Sequence, residues 1–187
     1  MKSWLLSQGR TYTSPVTFLN ELCEQLESRG VYLSRVSIMV RTVHPTYEFL
    51  VLIRTEKEAD EHMLADADTV YSHKTHDFGT HRIEQFLVEY GHTDDEAFVA
   101  SPFKAIIDGL PLVRCRLNQI DGDPEYPIYE DMLAVGMTDY MALPIDLLPP
   151  DYGMMSFVSS RPEGFMDEQV EYIREIQPLV SILLSPL

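Results

Sequence analysis

Residues 35–54, RVSIMVRTVHPTYEFLVLIR, restrict the fold more than any other stretch of the chain. Val36, Ile38 and Val40 alternate with Arg35, Ser37 and Arg41, the period of two that puts successive side chains on opposite faces of a strand. Pro45 stops that run because it has no N–H to give a ladder, and an apolar segment resumes from Tyr47 to Arg54. Two strands this close in sequence are predicted to pair as an antiparallel hairpin. A sheet is therefore the frame, and the rest of the chain is read for what covers it.

Ser14-Pro15 opens a helix as N-cap and first helical residue, with Val16, Leu19, Leu22, Cys23 and Leu26 at helical spacing and Gly30 as terminator. Thr55 to Ala67 is acidic and helix-permissive, and short strands at Val70–His73 and Arg82–Glu89 are expected to flank a turn at Asp77-Phe78-Gly79. Capping signals at Thr93 and Ser101 predict two short helices ending at Gly109. LPLVRCRL reads as a strand, and YPIYEDMLAVG as a short helix entered at Pro127 and ended at Gly136. MTDYMALPI and YGMMSFVSS are two strands joined by the turn-rich DLLPPD. After the break at RPEGF, Asp167 caps a closing helix whose stripe is Val170, Ile173, Ile176, Leu179, Val180, Leu183 and Leu184, interrupted by Pro178. This order predicts one α+β domain over residues 1–187. It has an antiparallel sheet of five to six strands, helices on its faces, and N- and C-terminal helices packed together. Residues 167–187 serve as an exit and dimerisation helix.

Charge limits the partners. With 30 acidic against 14 basic residues the formal net charge is −16, which argues against nucleic acid and anionic membrane, since phosphate binding needs clustered Lys and Arg. No signal sequence or membrane-length apolar run is present, so a cytoplasmic chain is expected. Cys23 and Cys115 lie far apart in unlike contexts and read as buried small hydrophobes.

Three places invite a chemical reading. His73, His76 and His81 in YSHKTHDFGTH would suit zinc, which takes three or four N or S ligands. Their spacing matches no helical ligand motif and no cysteine lies nearby, so the run reads as a solvated hairpin and no metal is assigned; a pH-responsive cluster is the other use open to it. DGDPEYPIYED has Tyr126 where a calcium loop of the EF-hand type needs glycine, and reads as a solvated acidic loop. No G-x-S-x-G elbow, Walker loop or G-x-G-x-x-G occurs, so the chain is expected to be non-catalytic. What remains is a strand-built pocket, a few polar groups within apolar walls. Its ligand-binding candidates are Arg114 and Arg116, which share a strand face with Leu112, Tyr140, which shares one with Thr138 and Ala142, and Ser156, which shares one with Met154 and Val158. The alternative is a site filled by the chain's own Met141, Met154, Met155 and Phe157. For the closing helix, Ile176, Val180, Leu183 and Leu184 are expected to meet the same helix of a second chain, giving a homodimer.

The segments YLSRVSIMVRTVHP, SPFKAIIDG, LVRCRL, YPIYEDMLAVGMTDYMALPI and SFVSSRPEGFMDEQVEYIREIQPLV, in this order, resemble the GAF-like N-terminal regulatory region of a group of bacterial class III adenylate cyclases. The resemblance runs from about Trp4 to Val180, and TDYMALPI to SSRPEGF is its most specific part; Glu56 to His92 matches least. It implies a GAF-like fold and a non-catalytic, small-molecule-sensing and dimerising domain of a cyclase-type signalling protein. A purely structural dimerisation module without ligand is the alternative. GAF domains bind cyclic nucleotides, tetrapyrroles or other small molecules, or only dimerise, and no cofactor is assigned.

Overall fold

A computed structural model describes residues 1–7, 12, 14–58, 70–147 and 151–184. The chain runs α1 (Lys2–Ser7), α2 (Pro15–Glu27), β1 (Arg35–Arg41), β2 (Tyr47–Glu56), β3 (Val70–Phe78) and β4 (His81–Glu89). It continues through α3 (Glu96–Val99), α4 (Pro102–Ile107), β5 (Val113–Cys115), α5 (Ile128–Ala134), β6 (Asp139–Ile145), β7 (Gly153–Ser159) and α6 (Asp167–Leu184). All strand pairs are antiparallel, in the order β3-β4-β2-β1-β7-β6-β5.

The sheet thus has seven strands where five to six were expected. The extra length comes from the histidine run: Ser72 to Phe78 pairs residue for residue with Leu87 to His81, so the strand expected to end at His73 continues through Asp77 and Phe78. A strand needs only backbone partners, and β4 supplies them regardless of how polar β3 is. The turn falls at Gly79 and Thr80, with Gly79 at φ 59°. The expected strand LPLVRCRL shrinks to three residues, because Pro111 precedes it and a 3-10 turn at Leu117–Gln119 follows. Thr93 lies in a 3-10 turn, and Asp95 takes the N-cap position of α3 instead. Ser101 caps α4 as expected, its hydroxyl accepting from Lys104 N–H at 3.3 Å. The acidic stretch Thr55 to Ala67 falls largely on residues 59–69, and the β6–β7 turn on 148–150, both outside the described residues.

Both faces of the sheet are covered. On the first, Val36, Ile38 and Val40 of β1, Leu52 of β2, Met141 and Leu143 of β6 and Met155 and Phe157 of β7 pack under α2 and α6. On the second, Phe49, Val51, Ile53, Phe86, Tyr140, Ala142, Met154 and Val158 pack under α4 and α5 through Phe103, Ile106, Tyr129 and Met132. Each such apolar side chain removed from water contributes about 1.5–3 kcal/mol. Gly153 marks the tightest approach at the centre: a Cβ there would lie 2.8 Å from the Met39 carbonyl oxygen, so the β1–β7 pairing admits only hydrogen.

The terminal helices pack together, with α1 against α6 and Lys2 Nζ 3.0 Å from a Glu175 carboxylate oxygen. Ile176, Val180 and Leu184 lie in the first-face core, at 2%, 0% and 2% exposure, and Leu183 packs against it. These four side chains cover the chain's own sheet. The heptad-like stripe is equally what a single helix needs to cap a sheet.

Candidate functional site

The four residues expected to line one pocket lie on two sides of the sheet. Tyr140 and Ser156 point into the second face. Arg114 stands opposite Met141 in the β5–β6 register and belongs to the first. The sequence could place each residue on a face of its own strand but not relate the faces of separate strands, which depends on register.

On the second face the polar groups form a line through the apolar layer. The hydroxyls of Ser37 on β1 and Ser156 on β7 are directly opposite in register and 2.5 Å apart, both buried. Tyr140 on β6 shares a hydrogen bond with Ser156, and burial pushes its phenol up to about 12 while Arg35 acts in the other direction. Arg35 on β1 is itself buried, which lowers the affinity of its guanidinium for its proton. The Tyr129 ring of α5 packs at 5.3 Å from that of Tyr140. Tyr129 Oη and Thr55 Oγ1 are buried with no hydrogen-bond partner among the described residues. A buried hydroxyl without a partner costs on the order of 1–3 kcal/mol, so each is a place where a ligand or water oxygen would be favoured. Arg35 and Ser37 are visible in the sequence as the polar half of β1. That they are buried is not visible there, because it follows from β1 lying mid-sheet with both faces covered.

Tyr140 sets a pH limit. Its proton is held more tightly folded than unfolded, so the stability this gives is complete below pH 10 and lost as the pH rises from about 10 to about 12. Spectrophotometric titration of the phenols should show a late-ionising class that titrates together with alkaline unfolding. Complete ionisation near pH 10 in folded protein would contradict the burial.

On the first face, Arg114 and Arg116 close a clasp. Asp139, fully buried at the start of β6, accepts from Phe165 N–H at 2.9 Å and lies 3.3 Å from Arg114 Nη2 and 3.2 Å from Arg116 Nε. Both guanidiniums also donate to the Phe165 carbonyl, at 2.7 and 2.9 Å. Arg114 Nη1 reaches Asp167, the first residue of α6, at 2.9 Å. Gly164, at φ 62°, lets the backbone turn against this carboxylate: a Cβ would come within 2.6 Å of Asp139 Oδ2. The clasp ties the sheet edge to the entry of α6, and it accounts physically for the segments TDYMALPI and SSRPEGF standing together.

The three histidines do not converge. His73 shares the second face with Phe86, on which it stacks at 4.9 Å, and its Nε2 lies 2.5 Å from buried Glu84, which also accepts from Thr75. His76, one residue out of phase, pairs with Gln85 on the other side, and His81 with Thr80. Among the described residues no group of three His, Cys, Asp or Glu side chains is placed to hold a metal ion. Burial pushes the Cys23 thiol up to about 12 and raises Cys115 as well, the reverse of thiolate activation. The acidic residues Asp121 and Asp123 stand exposed in their loop. Of Met141, Met154, Met155 and Phe157, only Met154 lies on the polar second face.

A separate groove of about 580 Å³ runs between α6 and the α4–β5 connection, lined by Leu110, Pro111, Pro144, Asp146, Arg174 and Gln177 among others. None of the four pocket candidates lines it. No described helix is long and apolar enough to cross a membrane.

No protein-family model matches the chain, and no curated protein does. Among solved structures it is similar to the GAF domain of a two-component sensor histidine kinase from Bacillus halodurans, with 9% identity and a TM-score of 0.49, over 90% of this chain and 94% of that one. A likeness at this level carries no argument about ligand, partner or activity.

Proposed function

We propose that this chain is a non-catalytic, GAF-type sensor domain of a cyclase-like signalling protein, binding a small molecule on the second face and acting as a homodimer. One observation carries the reading: the buried line Arg35, Ser37, Ser156 and Tyr140, flanked by the partnerless hydroxyls of Tyr129 and Thr55, in a layer that is apolar towards α4 and α5 and holds buried Glu84 only at its β4 end. A layer that only had to pack would gain from apolar residues there, since buried polar groups are costly unless met. The resemblance of the ordered sequence segments to cyclase regulatory regions supports the signalling context. In this reading β6 links site to output, because Tyr140 of the site is followed in the chain by strand residues packed on α6 and preceded by Asp139 of the clasp. A ligand transmits only if it binds one arrangement of α6 more tightly than another.

A structural dimerisation module is the second reading, favoured by the close ring packing of Phe49 with Phe103 at 5.7 Å and of Tyr129 with Tyr140 in the same layer. Native mass spectrometry of the purified chain, followed by a thermal-shift screen of nucleotides and other small metabolites, separates the two. A retained or stabilising molecule whose effect disappears in Ser156→Ala and weakens in Tyr129→Phe supports the sensor. A chain that carries nothing and is stabilised by nothing supports the module.

A further inference from the structure

We infer that two copies of the chain join edge to edge through β3, antiparallel, with the two-fold axis on Thr75, so that their sheets become one. The inference rests on the homodimer part of the reading above and names its seam.

Among the described residues the strand order leaves β3 and β5 as the sheet's edges, and β3 is nine residues long against three for β5. Which groups β3 turns outward follows from the ladder. Lys57 N–H donates to the Thr80 carbonyl at 3.0 Å, so even-numbered residues of β4 bond to β2 and odd-numbered ones to β3. The register pairs Ile83 with His76, Gln85 with Lys74 and Leu87 with Ser72. Those residues of β3 therefore use their N–H and C=O inward, and His73, Thr75 and Asp77 turn theirs outward, with no strand partner among the described residues. An exposed edge of this length is a template for another strand. His73, Lys74, Thr75 and Asp77 are all exposed.

A second copy fits this edge in one register better than in its neighbours. An axis on Lys74 or Asp77 sets like charges directly opposite, and one on His73 or His76 sets imidazole against imidazole. An axis on Thr75 places Thr75 opposite Thr75, a favourable cross-strand pair, and each His73 opposite an Asp77 of the partner copy, twice by symmetry; on the other face it sets Lys74 opposite His76, a milder opposition than two lysines or two aspartates. It also centres on a residue whose outward N–H and C=O can be exchanged with its own copy. His73 Nε2 is already held by Glu84, so the other ring nitrogen meets the partner's carboxylate. Asp77, 3.2 Å from Lys57 at the hairpin end, lies on the face where that contact forms. From Val70 to His76 the strand has no acidic side chain, so two chains of formal charge −16 meet at a segment that does not add to their repulsion.

Sedimentation velocity on the full chain tests the seam. Wild type is expected at twice the 21.5 kDa chain mass. Thr75→Pro is expected at the single mass, because it removes an outward N–H while the β3–β4 ladder keeps its bonds. Asp77→Lys, which sets lysine opposite His73, should raise the dissociation constant about tenfold. Thr75→Cys should oxidise to a disulfide-linked dimer, since Cα atoms of a hydrogen-bonded pair lie about 5.5 Å apart; His76→Cys, off the axis, should not. A wild-type dimer that persists in Thr75→Pro, with no cross-link through Cys at 75, overturns the seam and leaves the dimer. A wild-type monomer at tens of micromolar overturns both, while the ligand experiment above still decides the sensor.

Discussion

Asp139→Ala is expected to lower the unfolding free energy by about 2–4 kcal/mol. The carboxylate is fully buried, and its removal strands the Phe165 N–H and takes the anionic partner at this point from two guanidiniums, which keep their bonds to the Phe165 carbonyl. The value stays at the lower part of the range for broken buried pairs because Arg114 and Arg116 are partly exposed and water can rehydrate them. The damage should be local first: hydrogen exchange at Phe165 and through the first turn of α6 should speed up before the sheet opens. Asp139→Asn keeps the Phe165 contact and should cost less. Denaturant unfolding of the two variants gives the comparison. An unchanged midpoint in Asp139→Ala would mean that the clasp is decorative and that α6 is held by its apolar stripe alone.

The second large effect concerns that stripe. Ile176→Ala should cost about 2–5 kcal/mol, the range for deleting a large aliphatic side chain from a packed core, and should leave the oligomeric mass as it is. Ile176 faces the sheet beside Ile173 and Val180, with 2% of its surface exposed. Unfolding by heat or denaturant and sedimentation velocity, run on the same preparation, read both quantities. Loss of the dimer with stability intact would put the seam on α6 after all.

These two residues mark where the sequence was readable and where it stopped. Helix α2, the β1–β2 hairpin, the β6–β7 pair and the start of α6 follow from local signals: Ser14-Pro15, the alternation of β1 and apolar runs bounded by turn residues for β2, β6 and β7, and Asp167 after a glycine break. The stripe of α6 was equally clear, but periodicity names the apolar side of a helix without saying what covers it. For Asp139 the signal was absent, since an aspartate at the start of a strand usually reads as solvated. Its burial depends on Arg114 and Arg116, more than twenty residues earlier, and on the backbone of Phe165, as many later. The polar line of the second face was legible only residue by residue, with Ser37 on the polar phase of β1 and Ser156 alone between Met154 and Val158 on its own strand. Their meeting required the β1–β7 register, which no local pattern encodes. The histidine run was legible as a hairpin, but its first strand runs on past His73 to Phe78, because β4 supplies backbone partners that polarity does not reveal.

The β1–β7 pairing also has a consequence in time. Arg35 pairs with Val158 and Val40 with Gly153, so the middle of the sheet is closed by a strand that is made about a hundred residues after β1. The β1–β2 and β3–β4 hairpins can form early as local units, yet β1 must wait with one edge bare and Val36, Ile38 and Val40 poorly sheltered until β7 and α6 emerge. Closing so long a loop is slow compared with forming a hairpin. The nascent chain therefore passes through its most aggregation-prone interval between the emergence of β1 and that of β7, and slower translation or a holding chaperone during that interval should raise the yield of folded protein.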